Sequence, residues 1–228
     1  MDKSALLAFI VKAVREVPEL IRYLSPAYKT YDYFLARIEG LVRGVYAVNV
    51  AGDFIDTFAN LISGQLRDAY TRAWIDEGNK GALPDYLEQS YQTTVANQYS
   101  FVDNFYRAIV DARIDKTSID PLLVRAQLWA QRWTESYNEA VRLITLDGGG
   151  NMIWELGATE DHCPECAFLN GKVMTAKEWD LIGIKPQNAP NDKLTCKGWK
   201  CDCSLSPTDK RRTAGAYGKI EEMMLGRK

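Results

Sequence analysis

The sequence predicts a mainly α protein in which a long helical hairpin or bundle is followed by a small α+β module and a C-terminal helix. Three observations lead to that reading. Apolar side chains recur at alternating spacings of four and three through most of the first 147 positions, the period of a helix face. A Gly148-Gly149-Gly150 run then breaks the texture, and beyond it Gly and Pro are scattered among short apolar runs. All five cysteines fall in that later part, as Cys163-x2-Cys166 and, 29 residues on, Cys196-x4-Cys201-x-Cys203. The chain accordingly divides into a helical bundle over 1–147, a cysteine-rich module over 148–208 and a basic helical tail over 209–228.

Residues 2 to about 23 read as a short amphipathic helix ending near Ser25-Pro26. From about 30 to 78, Phe34, Ile38, Leu41, Val45, Val48, Gly52, Ile55, Ala59, Ile62, Leu66, Ala69 and Ala73 form a heptad seam of coiled-coil type. Gly40, Gly44, Gly52 and Gly64 each cost about 1 kcal/mol of helix propensity, which predicts close backbone approach there. Asp76 to Gly81 is a turn, and Pro84 suits the first turn of the next helix, which runs over about 83–114 with Val95, Tyr99, Val102, Tyr106 and Ile109 on one face. Two long helices joined by a tight turn make an antiparallel hairpin. A further helix opens at Ser118 to Pro121 and continues through Leu122, Ala126, Trp129, Trp133, Tyr137, Ala140 and Ile144 to the triple glycine. Residues 151–208 read as short strands and turns, and a last helix over about 209–225 carries Lys210, Arg211, Arg212 and Lys219, with Arg227 and Lys228 beyond it.

Composition narrows the classes. With 228 residues, 46% hydrophobic and 25% charged, the chain can bury a real core and is not globally disordered. A net charge of −2 gives no overall attraction to nucleic acid or anionic lipid, so any such contact is local. The start, interrupted by Lys12, Arg15 and Glu16 at helical spacing, lacks the order of a signal peptide. No apolar run of roughly 20 residues occurs, so no membrane partner is expected. The expectation is an intracellular protein, in whose reducing surroundings clustered cysteines favour metal over disulfide.

The cysteines carry the chemistry. A Cys-x2-Cys turn aims two sulfurs at one centre and a second cluster closes the shell, the pattern of one tetrahedral structural zinc. Cys163 and Cys166 supply one half, and two of Cys196, Cys201 and Cys203 supply the other, with Cys201 the foremost of the three. Cys201 and Cys203 would face the same way on a strand, whereas Cys196 with Cys201 closes a wider loop. Which four of the five ligate stays open. A zinc-stapled module of this kind draws on the order of 10 kcal/mol from its ion.

Competing readings are a redox pair and inert thiols. Cys163-Pro164-Glu165-Cys166 has redox spacing, but Asp161-His162 before it and Asn170-Gly171 after it do not suggest the start of a helix in a βαβ unit. His162 is the only histidine, and it reads as a surface residue beside the cysteine turn. Catalytic zinc usually has His or carboxylate among three ligands plus an open position, whereas an excess of thiolates implies a closed site. Glu160 and Asp161 diverge in direction, Gly148 to Gly150 lacks the Gly-Lys-Ser/Thr of a phosphate loop, and no Gly-x-Ser-x-Gly elbow is present. Trp129 and Trp133, four apart on a helix, read as core packing more than as a base-stacking platform.

One resemblance spans residues 120–208. Arg125-Ala-Gln-Leu-Trp129, Asn138-Glu-Ala140, the stretch Trp154 to Ala158, Cys163-Pro-Glu-Cys166-Ala-Phe-Leu169-Asn-Gly171-Lys172, and Cys201-Asp-Cys203-Ser-Leu205-Ser-Pro207 follow one another as in the phage Mu F-like family of head morphogenesis (minor head) proteins. In that family a helix precedes a stretch of the form Asp-x-x-Cys-Pro-x-Cys-x-x-Leu-x-Gly-Lys, and a Cys-Arg-Cys element followed by an apolar residue and Pro ends the domain. The chain departs from the pattern at Asp202, where the family often has Arg, and at Cys196, near where many members carry His-Pro. The resemblance implies a non-catalytic minor capsid protein of the virion. It would sit inside the head at the portal, having assembled in the host cytoplasm, with the portal protein, other head proteins and further copies of itself as partners. Packaged DNA would be touched through Lys210, Arg211 and Arg212.

Two alternative classes remain. A zinc-ribbon DNA-binding protein calls for a basic face around the cysteines, where Lys193, Lys197, Trp199 and Lys200 are offset by Glu160, Asp161, Glu165, Asp192 and Asp202. A phage-associated metal-dependent nuclease needs a histidine base, for which His162 is the one candidate.

Overall fold

The computed structural model describes residues 31–48, 54–158, 161–187, 191–198 and 201–225. The helix expected over 2–23, and Gly52, Glu160, Trp199, Lys200, Arg227 and Lys228, lie outside the described residues. The elements in chain order are α1 (Tyr31–Val48), α2 (Phe54–Asp76), α3 (Asp85–Tyr99), α4 (Val102–Ile114), α5 (Asp120–Asp147), β1 (Asn151–Glu155), α6 (Pro164–Leu169), β2 (Val173–Thr175), α7 (Ala176–Ile182), β3 (Ser204–Thr208) and α8 (Ala216–Leu225). The protein is therefore mainly α, with a small sheet and the cysteine cluster toward its C-terminus.

α5 is the spine of the bundle. α2 runs parallel to it: Gln65 donates to the carbonyls of Trp129 (3.0 Å) and Ala130 (2.7 Å), Trp133 donates its indole N–H to Asp68 (2.9 Å), and the Tyr137 hydroxyl reaches Asp76 (3.1 Å). α1 runs the other way, since the Tyr46 hydroxyl donates to the Thr117 carbonyl just before α5 begins. α2 and α3 form the expected antiparallel hairpin, tied by a bidentate Arg67–Glu88 pair and by the Tyr70 hydroxyl on Ser90 at 2.7 Å. The core between these helices holds Ile38, Val42, Phe58, Ile62, Leu66, Phe105, Ile109 and Trp129. Trp129 meets the Phe58 ring edge-on at 5.1 Å, so it packs in the core as its helical spacing predicted.

Three helical expectations change. The seam over 30–78 does not run in one phase: α1 ends at Val48 and α2 begins at Phe54. Val42, Phe54 and Phe58 are buried where Leu41, Ile55 and Ala59 were expected. Two separate helices need not share one phase, and a helix touching several neighbours buries a wider stripe than a coiled-coil seam. Gly40, Gly44 and Gly64 have nothing within 4 Å of an added Cβ, so they mediate no close backbone approach. Finally, the helix over 83–114 is two helices. The Ser100 hydroxyl donates to the Asn97 carbonyl at 2.7 Å, and the Phe101 N–H turns to Gln98 at 3.1 Å, which breaks the regular ladder. Tyr99 consequently sits exposed instead of on the buried face.

The triple glycine ends α5 as expected, with Gly149 at φ 67°. The chain then enters a three-stranded antiparallel sheet of order β2-β1-β3, in register Ile153↔Val173 and Trp154↔Leu205. Trp154 and Trp179 are fully buried on it, and the Trp179 indole N–H bonds the Met152 carbonyl at 3.0 Å. α7 starts with a reciprocal capping box between Thr175 and Glu178 and stops at Gly183, whose φ of 68° suits glycine. The tail helix begins at Ala216, not 209; Lys210, Arg211 and Arg212 precede it in irregular backbone. That stretch is held because Thr213 exchanges hydrogen bonds with Val173, and Ala216 and Ile220 then enter the module's core.

A buried charge network joins the bundle to the module. Arg142 on α5 grips Glu139 with two N–H groups (2.8 and 2.7 Å) and Asp180 on α7 with a third (2.7 Å), while Lys185 adds a contact to Glu139 at 3.3 Å. Arg142 is 6% exposed, so losing either carboxylate would leave its buried charge with only one partner.

Candidate metal centre

Three short segments bring the sulfurs together. Cys163 caps the N-terminus of α6 and Cys166 lies one turn on, buried, so the helix itself sets the first pair. A tight loop over 191–198 carries Cys196, anchored by the buried Leu194 and by Asn191 N–H to Lys197 carbonyl at 2.9 Å. Cys201 and Cys203 come just before β3, in irregular backbone, so strand alternation does not set their directions.

Cys163, Cys166 and Cys196 have sulfurs within 4.8 Å of one another, and so do Cys166, Cys201 and Cys203. Cys166 belongs to both sets. The Cys163–Cys196 separation is 3.7 Å, close to the roughly 3.8 Å edge of a tetrahedron with Zn–S near 2.3 Å. All five predicted cysteines thus form one cluster, and a metal ion could be held there.

Backbone N–H groups point at these sulfurs, as they do around metal thiolates. Gly198 donates to Cys196, made possible by positive φ at Lys197 (52°) and Gly198 (76°); Gln187 and Cys203 donate to Cys201; Gly157 donates to Cys203. Cys201 is pushed down to about 5, first by the hydrogen bond from the Cys166 thiol and then by those N–H groups. Cys166 is pushed up by the same shared proton and by burial. Burial raises Cys196 to about 11 and raises Cys203 as well. Several thiols crowded in one site cannot all ionise alone, and a divalent cation would take the place of their protons.

Glu165 corrects an expectation. It was counted among surface acids, yet it is fully buried inside the Cys-x2-Cys turn. Burial alone would raise its carboxyl, but the N–H of Thr195, its own N–H, the Thr195 hydroxyl and the Cys163 thiol hold it at about 2. The two Thr195 bonds are 3.0 and 2.9 Å, so this carboxylate ties α6 directly to the loop bearing Cys196. Sequence spacing gave no sign of it, because its partner Thr195 lies 30 residues further along the chain.

Gly157 was missed too. A Cβ there would lie 2.1 Å from Asp202 Cγ and 2.4 Å from the Asp202 carbonyl, so only glycine lets the chain after β1 pass the Cys201–Cys203 turn. His162 is half-buried with Nδ1 at 3.8 Å from Cys203, in the cluster instead of at the surface beside it. The redox alternative also changes form. The Cys-x2-Cys does open a helix, contrary to the reading of its flanks, but the flanking β1 and β2 are antiparallel, so the unit is not a parallel βαβ. Nor is the centre closed all round. Cys201 and Asp202 line a cavity of about 380 Å³ whose far wall is Gln131, Thr134 and Glu135 of α5, with the Glu135 carboxyl pushed up by burial.

Comparison with protein-family models, with curated proteins and with solved structures finds no match to this chain. Among the described residues, no helix is long and apolar enough to cross a membrane.

Proposed function

We propose that this chain is a non-catalytic minor head protein of the phage Mu F-like kind, acting in head assembly at the portal inside the capsid. One structural zinc in its thiolate centre would be held by Cys163, Cys166 and Cys196, with Cys201 drawn in from the set it shares with Cys166 as fourth ligand. The observation that carries the reading is the union of the resembling segments. The span that looks like the family, Arg125 to Pro207, is the span in which α5 is locked by Arg142 to a module built around five sulfurs. The thiolates suit zinc because four soft ligands close a tetrahedron and leave the ion to staple chain segments.

An assembly role asks for a rigid body with exposed apolar positions. α5 offers Val124 and Leu128 one turn apart, 56% and 41% exposed. Retention of the chain on immobilised portal protein, and its loss on Val124→Asp with Leu128→Asp, tests the proposal. Substitution is preferable to deletion, because α1 to α4 share their core with α5. No retention of zinc-loaded, folded protein on a folded portal ring would overturn it.

DNA binding is a weaker reading. Arg212 is paired with Glu178, and among the described residues Lys210 and Arg211 make no ion pair. A salt-dependent shift of duplex DNA that disappears in Lys210→Ala with Arg211→Ala would favour it over portal contact.

A further inference from the structure

We propose that the cysteine region takes two divalent transition-metal ions, the second held by His162, Asp202 and Cys203 with one coordination position open. This rests on the reading of the thiolate cluster as a metal centre. The region offers five thiols, one imidazole and one carboxylate, and a tetrahedral ion uses four donors. Once Cys163, Cys166, Cys196 and Cys201 are assigned to the structural ion, the three donors left are His162 Nδ1, an Asp202 oxygen and Cys203 Sγ. Those three lie within 4.8 Å of one another.

The Cys203–His162 separation of 3.8 Å is close to the edge of about 3.6 Å that ligand distances near 2.3 Å for sulfur and 2.1 Å for nitrogen give in a tetrahedron. The donors are also held in place by the fold. Gly157 donates its N–H to Cys203 and leaves less than a methyl's room beside Asp202, which fixes the carboxylate next to the sulfur. Mixed sulfur, nitrogen and oxygen donors numbering three are the complement that leaves a site for water on zinc, unlike the all-thiolate set beside it. The second ion would therefore be the exchangeable one, and zinc or cobalt(II) suits its donors.

Elemental analysis of the reduced full chain, loaded with zinc and freed of loose metal on a desalting column, tests this. Two ions per chain are expected in the wild type and one in both His162→Ala and Asp202→Asn, with far-ultraviolet circular dichroism unchanged. Cobalt(II) titration is expected to show a second equivalent whose d–d absorption is absent from His162→Ala. One ion in the wild type that persists in His162→Ala overturns the second site and leaves the thiolate centre standing. One ion lost with His162 also overturns it, by making the imidazole a ligand of a sole ion. No bound metal in the folded wild type overturns the second site together with the metal centre on which it rests.

Discussion

Removing the Glu165 carboxylate should loosen the metal module. The side chain is fully buried and takes two hydrogen bonds from Thr195, at 3.0 and 2.9 Å. Its carboxyl sits at about 2 against an ordinary 4.5, and a difference of about 2.5 pH units at about 1.36 kcal/mol each is about 3 kcal/mol. Two charge-assisted bonds, at roughly 1.5–3 kcal/mol apiece before the cost of burying the charge, give a similar figure. Because the folded value is depressed, this stabilisation is full above about pH 4.5 and disappears as the pH falls through about 2. The measurement belongs at pH 7, where acid does not also strip the thiolates. Urea unfolding of metal-loaded wild type, Glu165→Gln, Thr195→Val and the double variant forms a cycle. A loss of about 2–3 kcal/mol in Glu165→Gln and a coupling above about 1 kcal/mol are expected. Additivity within about 0.3 kcal/mol would show that the carboxylate does not join α6 to the Cys196 loop.

Chelation of the metal at neutral pH under reducing conditions should melt the module while most of the far-ultraviolet helical signal survives, since the bundle has its own core; a single joint transition in differential scanning calorimetry would contradict this. Trp129→Ala should cost about 3–5 kcal/mol in urea unfolding, because its ring is 8% exposed and fills the space against Phe58 and Phe105. Arg142→Ala should cost about 2 kcal/mol, less than a fully buried pair because the Asp180 side chain is 45% exposed, and should speed proteolytic nicking around Gly148 to Gly150. Gly157→Ala places a methyl against the Asp202 backbone, and a loss of about 1–3 kcal/mol with weaker zinc retention against a competing chelator is expected.

Amino-acid order alone fixed the mainly helical class, the stop at the triple glycine, the hairpin at 76–84 and the group of cysteines that converge. Each is a local signal: a 3.6-residue period, a residue that cannot stay helical, a two-residue spacing between sulfurs. The separate phases of α1 and α2 and the break at Ser100 escaped that reading because one hydroxyl or one reset of phase decides them, and neither alters the average period. What needed the tertiary structure were the relations between segments far apart in the chain. Glu165 meets Thr195 across 30 residues, Gly157 meets Asp202 across a strand pair, and Arg142 meets Asp180 between bundle and module. Such pairings depend on how elements pack, since burial and hydrogen-bond geometry are set by the neighbours a fold supplies and leave no period in the sequence.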